Sequence, residues 1–498
     1  ILGLFAEQLV PGYKIRGRVE FRITRDADIP VDEEKEEDFV SAMAKILQNR
    51  MHSNPMRLEV SGKNQELIER LTKALDIDRD AVFEIPGPLN LKDLFSLASI
   101  SGWEELKYPL WEARRPLPDD ENIWEWISRE DRLLFHPYES FTPVIRLLSE
   151  AAVDPNVLSI RMTLYRTSGD SPIVQALAQA AVEGKQVTVL VELKARFDEE
   201  QNMSWARALE QAGCTVIYGV EGLKVHAKAL LIVRKEPEGI RRYAHLGTGN
   251  YHDKTAKLYT DFGLLTARTD YTHEIGQFFN SITGYSAVSR MRHLVMAPHY
   301  LKDKLLSLIE ALIEQSKLGI PCRITAKMNS LADQDVIQAL YRASKAGVVI
   351  NLNVRGICML IPGREFSRNI RVVSIVDRYL EHCRVFIFRA GETEDVFLSS
   401  ADWMFRNLER RVELMFPVLS PPLKERIVDV LKVLFSDNVK AHVLGPDKVW
   451  ERLNPPTPAS AVRAQDLFHL RAEKERNLDQ KAVKTDLEPI RRPKPFST

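Results

Sequence analysis

The segment KVHAKALLIV at residues 224–233 is echoed later in the chain by LEHCRVFIFR at residues 380–389. Both segments place a histidine two residues before a cation and then continue into an almost unbroken apolar run. A run of this length and composition predicts a buried β-strand. Two matching segments of this kind indicate an internal repeat.

The repeat continues on both sides of these segments. Upstream, each is preceded by the pattern of a strand, a helix and a second strand. Downstream, each is followed by a short loop of small residues. The order of elements predicts an α/β fold with two tandem domains of similar build, packed about a pseudo-twofold axis. The paired stretches are 158–165 with 323–328, 172–183 with 336–346, 187–193 with 348–354, and LGTGN at 246–250 with LSSAD at 398–402.

At 498 residues the chain is too long for one ordinary domain. Strand-like runs at 13–24 and 56–60 flank a helical pattern at 33–49, which predicts a partial α+β head domain. The Pro-rich stretch RRPLP at 114–118 marks a boundary after it. We therefore expect a partial head domain at 1–112, a first α/β domain at 113–295, a second at 296–455, and a C-terminal helix and tail at 456–498.

The composition excludes several classes of protein. Lys plus Arg and Asp plus Glu both number 69, so no bulk charge draws the molecule to nucleic acid or to an anionic membrane. No apolar run approaches the roughly 20 residues that span a bilayer. The cysteines are scattered without a CxxC pair, which favours a reducing compartment and buried thiols over a zinc site. They are Cys214, Cys322, Cys358 and Cys383.

The two histidines of the repeat form the candidate chemical centre. In a strand, residues i and i+2 share a face, so we expect His226 beside Lys228 and His382 beside Arg384. A pseudo-twofold axis would bring both imidazoles to one cleft, one as nucleophile and the other as an acid, a base or a charge stabiliser. A lone histidine in a strand is most often a satisfied core residue, but its recurrence with a cation argues against that interpretation.

Further cations lie at the ends of the repeated strands or in the loops after them, where α/β domains bind ligands. Guanidinium groups match phosphate oxygens in pairs, so this set predicts a ligand with many phosphates. The LGTGN loop alone is weak support, and the Walker and protein-kinase motifs are absent from the sequence. The cations are Arg161, Arg166, Lys194, Arg196, Arg355, Arg406, Arg410 and Arg411.

Together these motifs resemble those of the bacterial polyphosphate kinases of the first type, which are relatives of the phospholipase D superfamily. The resemblance extends from about residue 21 to about residue 444. Because the chain starts with Ile1 rather than Met, we expect it to be an N-terminally truncated form without the family's first helical domain. The motifs are LYRTSGDSP at 164–172, ELKARFDE at 192–199, VHAK at 225–228, LGTGNYH at 246–252, YTDFG at 259–263, RGIC at 355–358, SIV at 374–376 and LEH at 380–382.

The resemblance implies an ATP-polyphosphate phosphotransferase that moves the ATP γ-phosphate reversibly to polyphosphate through a phosphohistidine. It implies that His226 is the nucleophile, that Lys228 is catalytic, and that His382 assists transfer and contacts the nucleotide phosphates. Tyr259 falls where the family stacks adenine, although core packing is the alternative interpretation of this residue. Arg355 falls where the family holds nucleotide phosphates.

The remaining implied site residues bind phosphate. Asp261, Arg384, Arg406 and Arg410 are expected to contact nucleotide or polyphosphate. Arg166 and Arg196 are expected around the magnesium-phosphate, but not as direct ligands, because a guanidinium cannot ligate a cation.

The resemblance also implies Mg²⁺ as cofactor, ATP or ADP and polyphosphate as partners, no nucleic acid, and a homo-oligomer. It implies a cytoplasmic location, with a peripheral position at the inner membrane as the alternative. Two rival functions stay open. One is a phospholipase D-like phosphodiesterase or nuclease, although its HxKxxxxD motif is broken by Val233 and Arg389. The other is a non-catalytic protein that only binds polyphosphate.

Overall fold

The computed structural model describes residues 5, 8, 11–26, 53–165, 170–192, 199–220, 222–284, 287 and 290–485. It divides into two compact units, Ile1–Leu110 and Trp111–Thr498. The helix expected at 33–49 lies outside the described residues. The domain boundaries expected from the sequence stay predictions.

The first unit contains a small α+β sheet. Strand β2 pairs antiparallel with β1 and parallel with β3. Helix α1 begins after Asn64, whose side chain accepts a hydrogen bond from the backbone N–H of Leu67. Leu58 and Val60 of β2 pack with Ile68 of α1 in the core of this unit. The elements are β1 (Glu20–Arg25), β2 (Pro55–Ser61), α1 (Gln65–Ala74), β3 (Val82–Glu84) and α2 (Phe95–Ala98).

The second unit consists of two α/β halves in which eight strands follow in the same order, from residue 132 to 266 and from residue 295 to 417, while some of the helices between them differ. The first half comprises α3 (Ile123–Arg129), β4 (Arg132–His136), α4 (Thr142–Val153), β5 (Val157–Leu164), α5 (Pro172–Val182), β6 (Gln186–Val191), α6 (Glu199–Gln211), β7 (Thr215–Tyr218), β8 (Lys224–Val225), β9 (Ala229–Glu236), β10 (Gly239–Gly247), β11 (Tyr259–Thr266) and α7 (Thr269–Ile282).

The second half carries two further strands and a long C-terminal helix. It comprises β12 (Val295–Ala297), α8 (Leu301–Lys317), β13 (Cys322–Met328), α9 (Gln334–Lys345), β14 (Val349–Val354), β15 (Ile370–Ile375), β16 (Leu380–Glu381), β17 (Arg384–Ala390), β18 (Thr393–Ser399), α10 (Phe405–Glu409), β19 (Arg411–Pro417), α11 (Pro421–Ser436), β20 (Ala441–Leu444), β21 (Trp450–Arg452) and α12 (Ala464–Thr485).

Each half is built around a mixed sheet, so the predicted α/β repeat is confirmed. The first sheet has the order β16-β11-β10-β9-β5-β6-β7, with β4 also paired to β11. The second has the order β12-β19-β18-β17-β13-β14-β15-β20-β21, with β8 also paired to β19. Strands β5 and β6 are parallel, as are β13 and β14. Strands β9 to β11 and β17 to β19 form antiparallel meanders.

The helices between the parallel strands end alike. Helix α5 is followed by Gly184 with φ +81°, and α9 by Gly347 with φ +99°. This left-handed conformation favours glycine and stops a helix. The starts differ, because the Asp333 side chain caps α9 by accepting from Val336 N–H, whereas Asp170 accepts from the side chain of Gln175 instead.

The halves exchange short strands at the point where the histidines lie. Strand β8 of the first half pairs parallel with β19 of the second, and β16 of the second half pairs parallel with β11 of the first. His226 and Lys228 therefore lie in the link between β8 and β9, not in the single continuous strand that the sequence predicts. The link bonds to both sheets as it crosses between them: the backbone N–H of His226 donates to the Val412 oxygen of β19, and the Lys228 oxygen accepts from the Gly247 N–H of β10.

A shared core lies between the halves. Phe262 and Leu264 of the first half pack with Cys383, Val385 and Val412 of the second in one cluster of buried side chains. Burial of this apolar surface fixes the halves against each other. Of the cysteines predicted to be buried, Cys358 is partly exposed, while the other three are buried. Among the described residues, no helix is both long and apolar enough to cross a membrane.

Candidate active site

Each histidine of the repeat faces a carboxylate of the opposite half. Nδ1 of His226 lies 2.9 Å from both Oε1 and Oε2 of Glu413 on β19. Nδ1 of His382 lies 2.9 Å from Oδ1 and 2.8 Å from Oδ2 of Asp261 on β11. The strand exchange produces both pairs, because β8 and β16 lead the imidazoles directly onto the partner sheets. Both pairs therefore cross between the halves; that the two imidazoles share one cleft stays a prediction.

The carboxylates are themselves held by the repeated loops. Thr248 of the LGTGN loop donates to Oδ1 of Asp261 at 2.7 Å. Ser400, its counterpart in LSSAD, donates to Oε2 of Glu413 at 2.5 Å, and Asn407 of α10 donates to Oε1 at 2.6 Å. These bonds fix the orientation of each carboxylate, and therefore the direction from which the carboxylate contacts its imidazole.

Gly249 explains why the first loop contains a second glycine. A Cβ at this position would lie 2.2 Å from Oδ2 of Asp261. Only a residue without a side chain therefore lets the Asp261 carboxylate stand against His382. The glycine serves the carboxylate–imidazole pair rather than a tight turn.

Two buried cations flank the imidazoles. Nζ of Lys228 donates to the backbone oxygen of its neighbour His226. Arg384 forms a two-pronged ion pair with Asp402, with Nε–Oδ1 at 3.2 Å and Nη2–Oδ2 at 3.1 Å, and its Nη1 lies 3.1 Å from Nε2 of His382. Both side chains are almost fully buried. Burial lowers the pKa of Lys228 well below its ordinary value, whereas Asp402 outweighs the effect of burial and raises the pKa of Arg384.

The surroundings keep the imidazoles neutral. Burial, with the positive charges of Lys228, Arg411 and Arg384, holds the pKa of His226 well below its ordinary value. Burial also lowers the pKa of His382, and Arg384 adds to this effect against the opposing influence of its carboxylate partner. Near neutral pH each ring therefore has one N–H and one lone pair.

The two carboxylates are ionised partners of these rings. Although burial acts in the opposite direction, His382 and Arg384 lower the pKa of Asp261. Burial raises the pKa of Glu413, but its two oxygens accept from three donors, His226, Ser400 and Asn407, which stabilises the carboxylate form. A carboxylate only accepts, so each Nδ1 carries the proton and each Nε2 the lone pair.

The two Nε2 atoms have different surroundings. Nη1 of Arg384 lies 3.1 Å from Nε2 and 3.4 Å from Nδ1 of His382, so the guanidinium lies against the ring and does not point along the lone pair of Nε2. In the part of the chain that the structure describes, no residue forms a hydrogen bond to Nε2 of His226. The lone pair of His226 Nε2 therefore has no hydrogen-bond donor among the described residues.

Two of the expected nucleotide contacts lie beside His382. The ring centroid of Tyr259 is 5.2 Å from that of His382. Arg355 donates to Asn329 Oδ1 through Nε at 3.0 Å and Nη2 at 2.7 Å, and to the backbone oxygen of Glu381 at 3.1 Å. Tyr259 therefore lies beside the second imidazole, and Arg355 contacts the residue before His382; their contacts with nucleotide stay predictions.

The other expected phosphate contacts are less close or lie outside the described residues. Arg406 and Arg410 are exposed at α10, and the Arg410 guanidinium lies 6.0 Å from the ring centroid of Phe405. Arg166 and Arg196 lie outside the described residues. Helix α10 still reaches the centre, because it also contributes the amide that holds Glu413.

Sequence reasoning missed Glu413 altogether and assigned Asp261 to phosphate binding rather than to His382. The signal was nevertheless present in the repeat. The spacing that aligns Thr248 with Ser400 also aligns Asp261 with Glu413. Extending the comparison past the loops would have identified both carboxylates as counterparts.

Magnesium has no preformed protein cage among the described residues, where no group of three His, Cys, Asp or Glu side chains could hold a metal ion. The two carboxylates of the centre face imidazoles and are occupied there. Mg²⁺ commonly binds through substrate phosphates and water with few protein ligands. The described residues therefore do not by themselves fit a resident metal.

The fold and the site define a class of duplicated α/β proteins in which each half contributes a histidine to one imidazole–carboxylate pair and a carboxylate to the other. Family models narrow this class. The model of the polyphosphate kinase middle domain matches residues 1–97, that of C-terminal domain 1 matches 122–288, and that of C-terminal domain 2 matches 294–465.

Individual relatives agree with the family models. A polyphosphate kinase of Rhodopirellula baltica is 47% identical over 470 residues, which covers 93% of this chain and 55% of the relative. One of Halalkalibacterium halodurans is 48% identical over 448 residues, covering 89% and 64%. The crystal structure of the Porphyromonas gingivalis polyphosphate kinase matches with a TM-score of 0.79 at 35% identity, covering 96% of this chain and 70% of that one.

The chain belongs to the polyphosphate kinase family. It spans 55% and 64% of the length of the two curated relatives described above.

Proposed function

We propose that this protein is a polyphosphate kinase that transfers the γ-phosphoryl group of ATP reversibly to polyphosphate through a phosphohistidine at His226. The surroundings of His226 Nε2 carry the proposal. Glu413 accepts the Nδ1–H of His226, which leaves the lone pair on Nε2, and no described residue donates a hydrogen bond to it. The names of the relatives support the choice of ATP and polyphosphate as substrates.

In the first step, His226 attacks the γ-phosphorus with Nε2 while its Nδ1–H donates to Glu413. The N–P bond forms as the bond from phosphorus to the β–γ bridging oxygen breaks, and ADP leaves with that electron pair. Charge spreads over the peripheral oxygens of the transferring group, so positioning and cations dominate catalysis. Lys228 and Arg384 supply this positive charge from buried positions.

In the second step, a terminal oxygen of polyphosphate attacks the same phosphorus. The N–P bond breaks, its electron pair returns to Nε2, and neutral His226 is restored. His382 accepts from Arg384 Nη1 with its backbone oxygen and contacts the guanidinium with its ring, and so positions a charge beside the transferring group. Because the N–P bond has a high transfer potential, the same site makes ATP from ADP and polyphosphate.

Nucleotide binding is assigned to the face beside His382. Tyr259 offers an aromatic ring to adenine, and Arg355 offers a guanidinium to the nucleotide phosphates. Mg²⁺ is expected to arrive with the nucleotide phosphates, and no step above passes through it. The cytoplasmic location and the homo-oligomeric state stay predictions.

The test is labelling with ATP that carries a radioactive γ-phosphate. We expect one acid-labile, base-stable label, mapped by peptide sequencing to His226 and lost in His226→Ala. His382→Ala should retain the label but transfer it slowly to polyphosphate. A label on serine, on aspartate or only on His382 would refute the assignment of the nucleophile.

The same preparation separates the rival functions. A phospholipase D-like phosphodiesterase would release product from bis(p-nitrophenyl) phosphate, and we expect no such release. A non-catalytic protein would bind polyphosphate without acquiring label from ATP.

A further inference from the structure

Residues at the start of helix α12 form hydrogen bonds and an ion pair with the segment that leads into His382. Arg463, just before the helix, holds the buried carboxylate of Asp377 through Nε at 2.8 Å and Nη2 at 2.5 Å. Gln465 in the first turn contacts Tyr379 and Glu381. The start of α12 therefore contacts every second residue of the segment that leads into β16.

The amide of Gln465 is fully used on this segment. Its Oε1 accepts from the backbone N–H of Tyr379 at 2.9 Å. Its Nε2 donates to the backbone oxygen of Tyr379 at 3.0 Å and to Oε1 of Glu381 at 2.7 Å. The side chain is 1% exposed, so no water competes for these bonds. An amide is the group that supplies one acceptor and two donors at one point.

Glu381 passes this constraint to the catalytic centre. Its Oε2 accepts from Thr260 Oγ1 at 3.0 Å and pairs with Lys327 Nζ at 3.3 Å. Thr260 Oγ1 in turn accepts the backbone N–H of His382 at 3.2 Å. Three consecutive hydrogen bonds thus connect Gln465 with the backbone N–H of His382. The last of them is made by Thr260, the residue directly before Asp261.

The first imidazole has a different support. Val225 occupies the position before His226 that Glu381 occupies before His382. It has no side-chain polar group, and its backbone N–H donates to Glu192 at 2.7 Å within the first half. The connection to α12 is therefore specific to one of the two histidines.

We propose that Gln465 is a positioning residue for His382, and that helix α12 sets the place of the second imidazole in the reaction. The proposal rests on the proposed function of the site. Gln465 touches no reacting atom; it acts by fixing Glu381, and through Thr260 the backbone of His382. Small misplacement of a reacting group costs rate heavily, so loss of this support lowers turnover without removing any catalytic group.

The first test compares Gln465→Leu with Gln480→Leu, the same substitution at an exposed position of the same helix. Histidine Cε1–Hε1 resonances, assigned by comparison with His382→Ala and His226→Ala, report on each ring without any turnover. In Gln465→Leu the His382 resonance should move or broaden while that of His226 stays in place, and kcat should fall about 10- to 100-fold with KM for ATP little changed. Gln480→Leu should match the native protein in every measurement.

Gln465→Glu keeps the shape and provides a second test if the leucine variant does not fold. Its ionised carboxyl group would face Glu381 without donors, whereas its protonated form restores one donor and the acceptor. The ratio of variant to native kcat should therefore rise as the pH falls from about 8 to about 6. A purely structural role would leave that ratio constant at temperatures well below unfolding.

The outcomes separate this proposal from the proposed function. A folded Gln465→Leu or Gln465→Glu variant with an unmoved His382 resonance overturns the positioning role, whatever the protein catalyses. A moved His382 resonance in a protein that takes no label from ATP supports the positioning role and refutes the kinase function instead.

Discussion

Replacing Glu413 by glutamine should stop His226, the proposed nucleophile, from attacking phosphorus, because the substitution changes which nitrogen of the His226 ring carries the proton. Glu413 accepts from His226 Nδ1–H, Ser400 and Asn407. A glutamine has one acceptor oxygen and an NH₂ group, so three donors cannot all be satisfied. If the NH₂ group faces His226, the lone pair must move to Nδ1 and the proton to Nε2. Attack on phosphorus needs the lone pair on Nε2, so this tautomer cannot react.

The size of the effect follows from the distance. As Nε2 bonds to phosphorus the ring becomes cationic, and Nδ1 of His226 lies 2.9 Å from the Glu413 oxygens. At that distance opposite unit charges attract by about 6 kcal/mol at an effective dielectric constant of about 20. At about 1.4 kcal/mol for each factor of ten, the expected loss in the rate of phosphoenzyme formation is about four orders of magnitude.

The assay is single-turnover labelling of Glu413→Gln with radioactive ATP, at a temperature where thermal unfolding shows the variant folded. Glu236→Gln is the control, because Glu236 is a partly buried partner of Arg234 at the far end of β9. Asp261→Asn tests the other imidazole and should slow transfer while leaving the label on His226. Phosphoenzyme formation by Glu413→Gln within tenfold of the native rate would refute the tautomer argument.

Further predictions concern the steric space at Gly249 and the dependence of labelling and stability on pH. Gly249→Ala should lower turnover about 10- to 100-fold, because its Cβ would lie 2.2 Å from an Asp261 oxygen, whereas Gly276→Ala, whose nearest neighbour is at 3.8 Å, should leave steady-state turnover intact. Because the pKa of His226 is held low, labelling should stay constant from about pH 7.5 to about 6.5, where an ordinary imidazole would be half protonated. Below about pH 6.5, His226 binds a proton in the unfolded chain but not in the folded chain. Calorimetry should therefore show that the unfolding temperature decreases as the pH is lowered from about 6.5.

The fold was largely predictable from local pattern. The strand predicted at 323–328 and the helix predicted at 336–346 correspond to β13 (Cys322–Met328) and α9 (Gln334–Lys345) within two residues. Apolar periodicity and terminal glycines determine such elements locally, so one sequence contains the signal. The exchange of β8 and β16 was not predictable in this way, because two-residue strands have no periodicity.

The site was predictable only where the sequence repeats. His226 and His382 stand in matching segments, so their pairing could be inferred without a structure. Glu413 stands at the repeat position that matches Asp261, but only the pairing of β8 with β19 shows that it faces His226. Gln465 has no counterpart in the repeat at all, and its contacts depend on how the C-terminal helix folds back onto β16.

The exchanged strands explain why both halves are needed for one centre. If each imidazole used a carboxylate of its own half, each half could form an independent pair, and the domains could separate without loss. Here His226 depends on Glu413 and His382 on Asp261, and both bonds cross the same shared core. Packing of the halves and orientation of the imidazoles are therefore one event, and the apolar burial that holds the halves together also fixes the tautomers of His226 and His382. Substitutions in that core, such as at Val385 or Val412, reach the chemistry through the imidazoles even though they touch no phosphate.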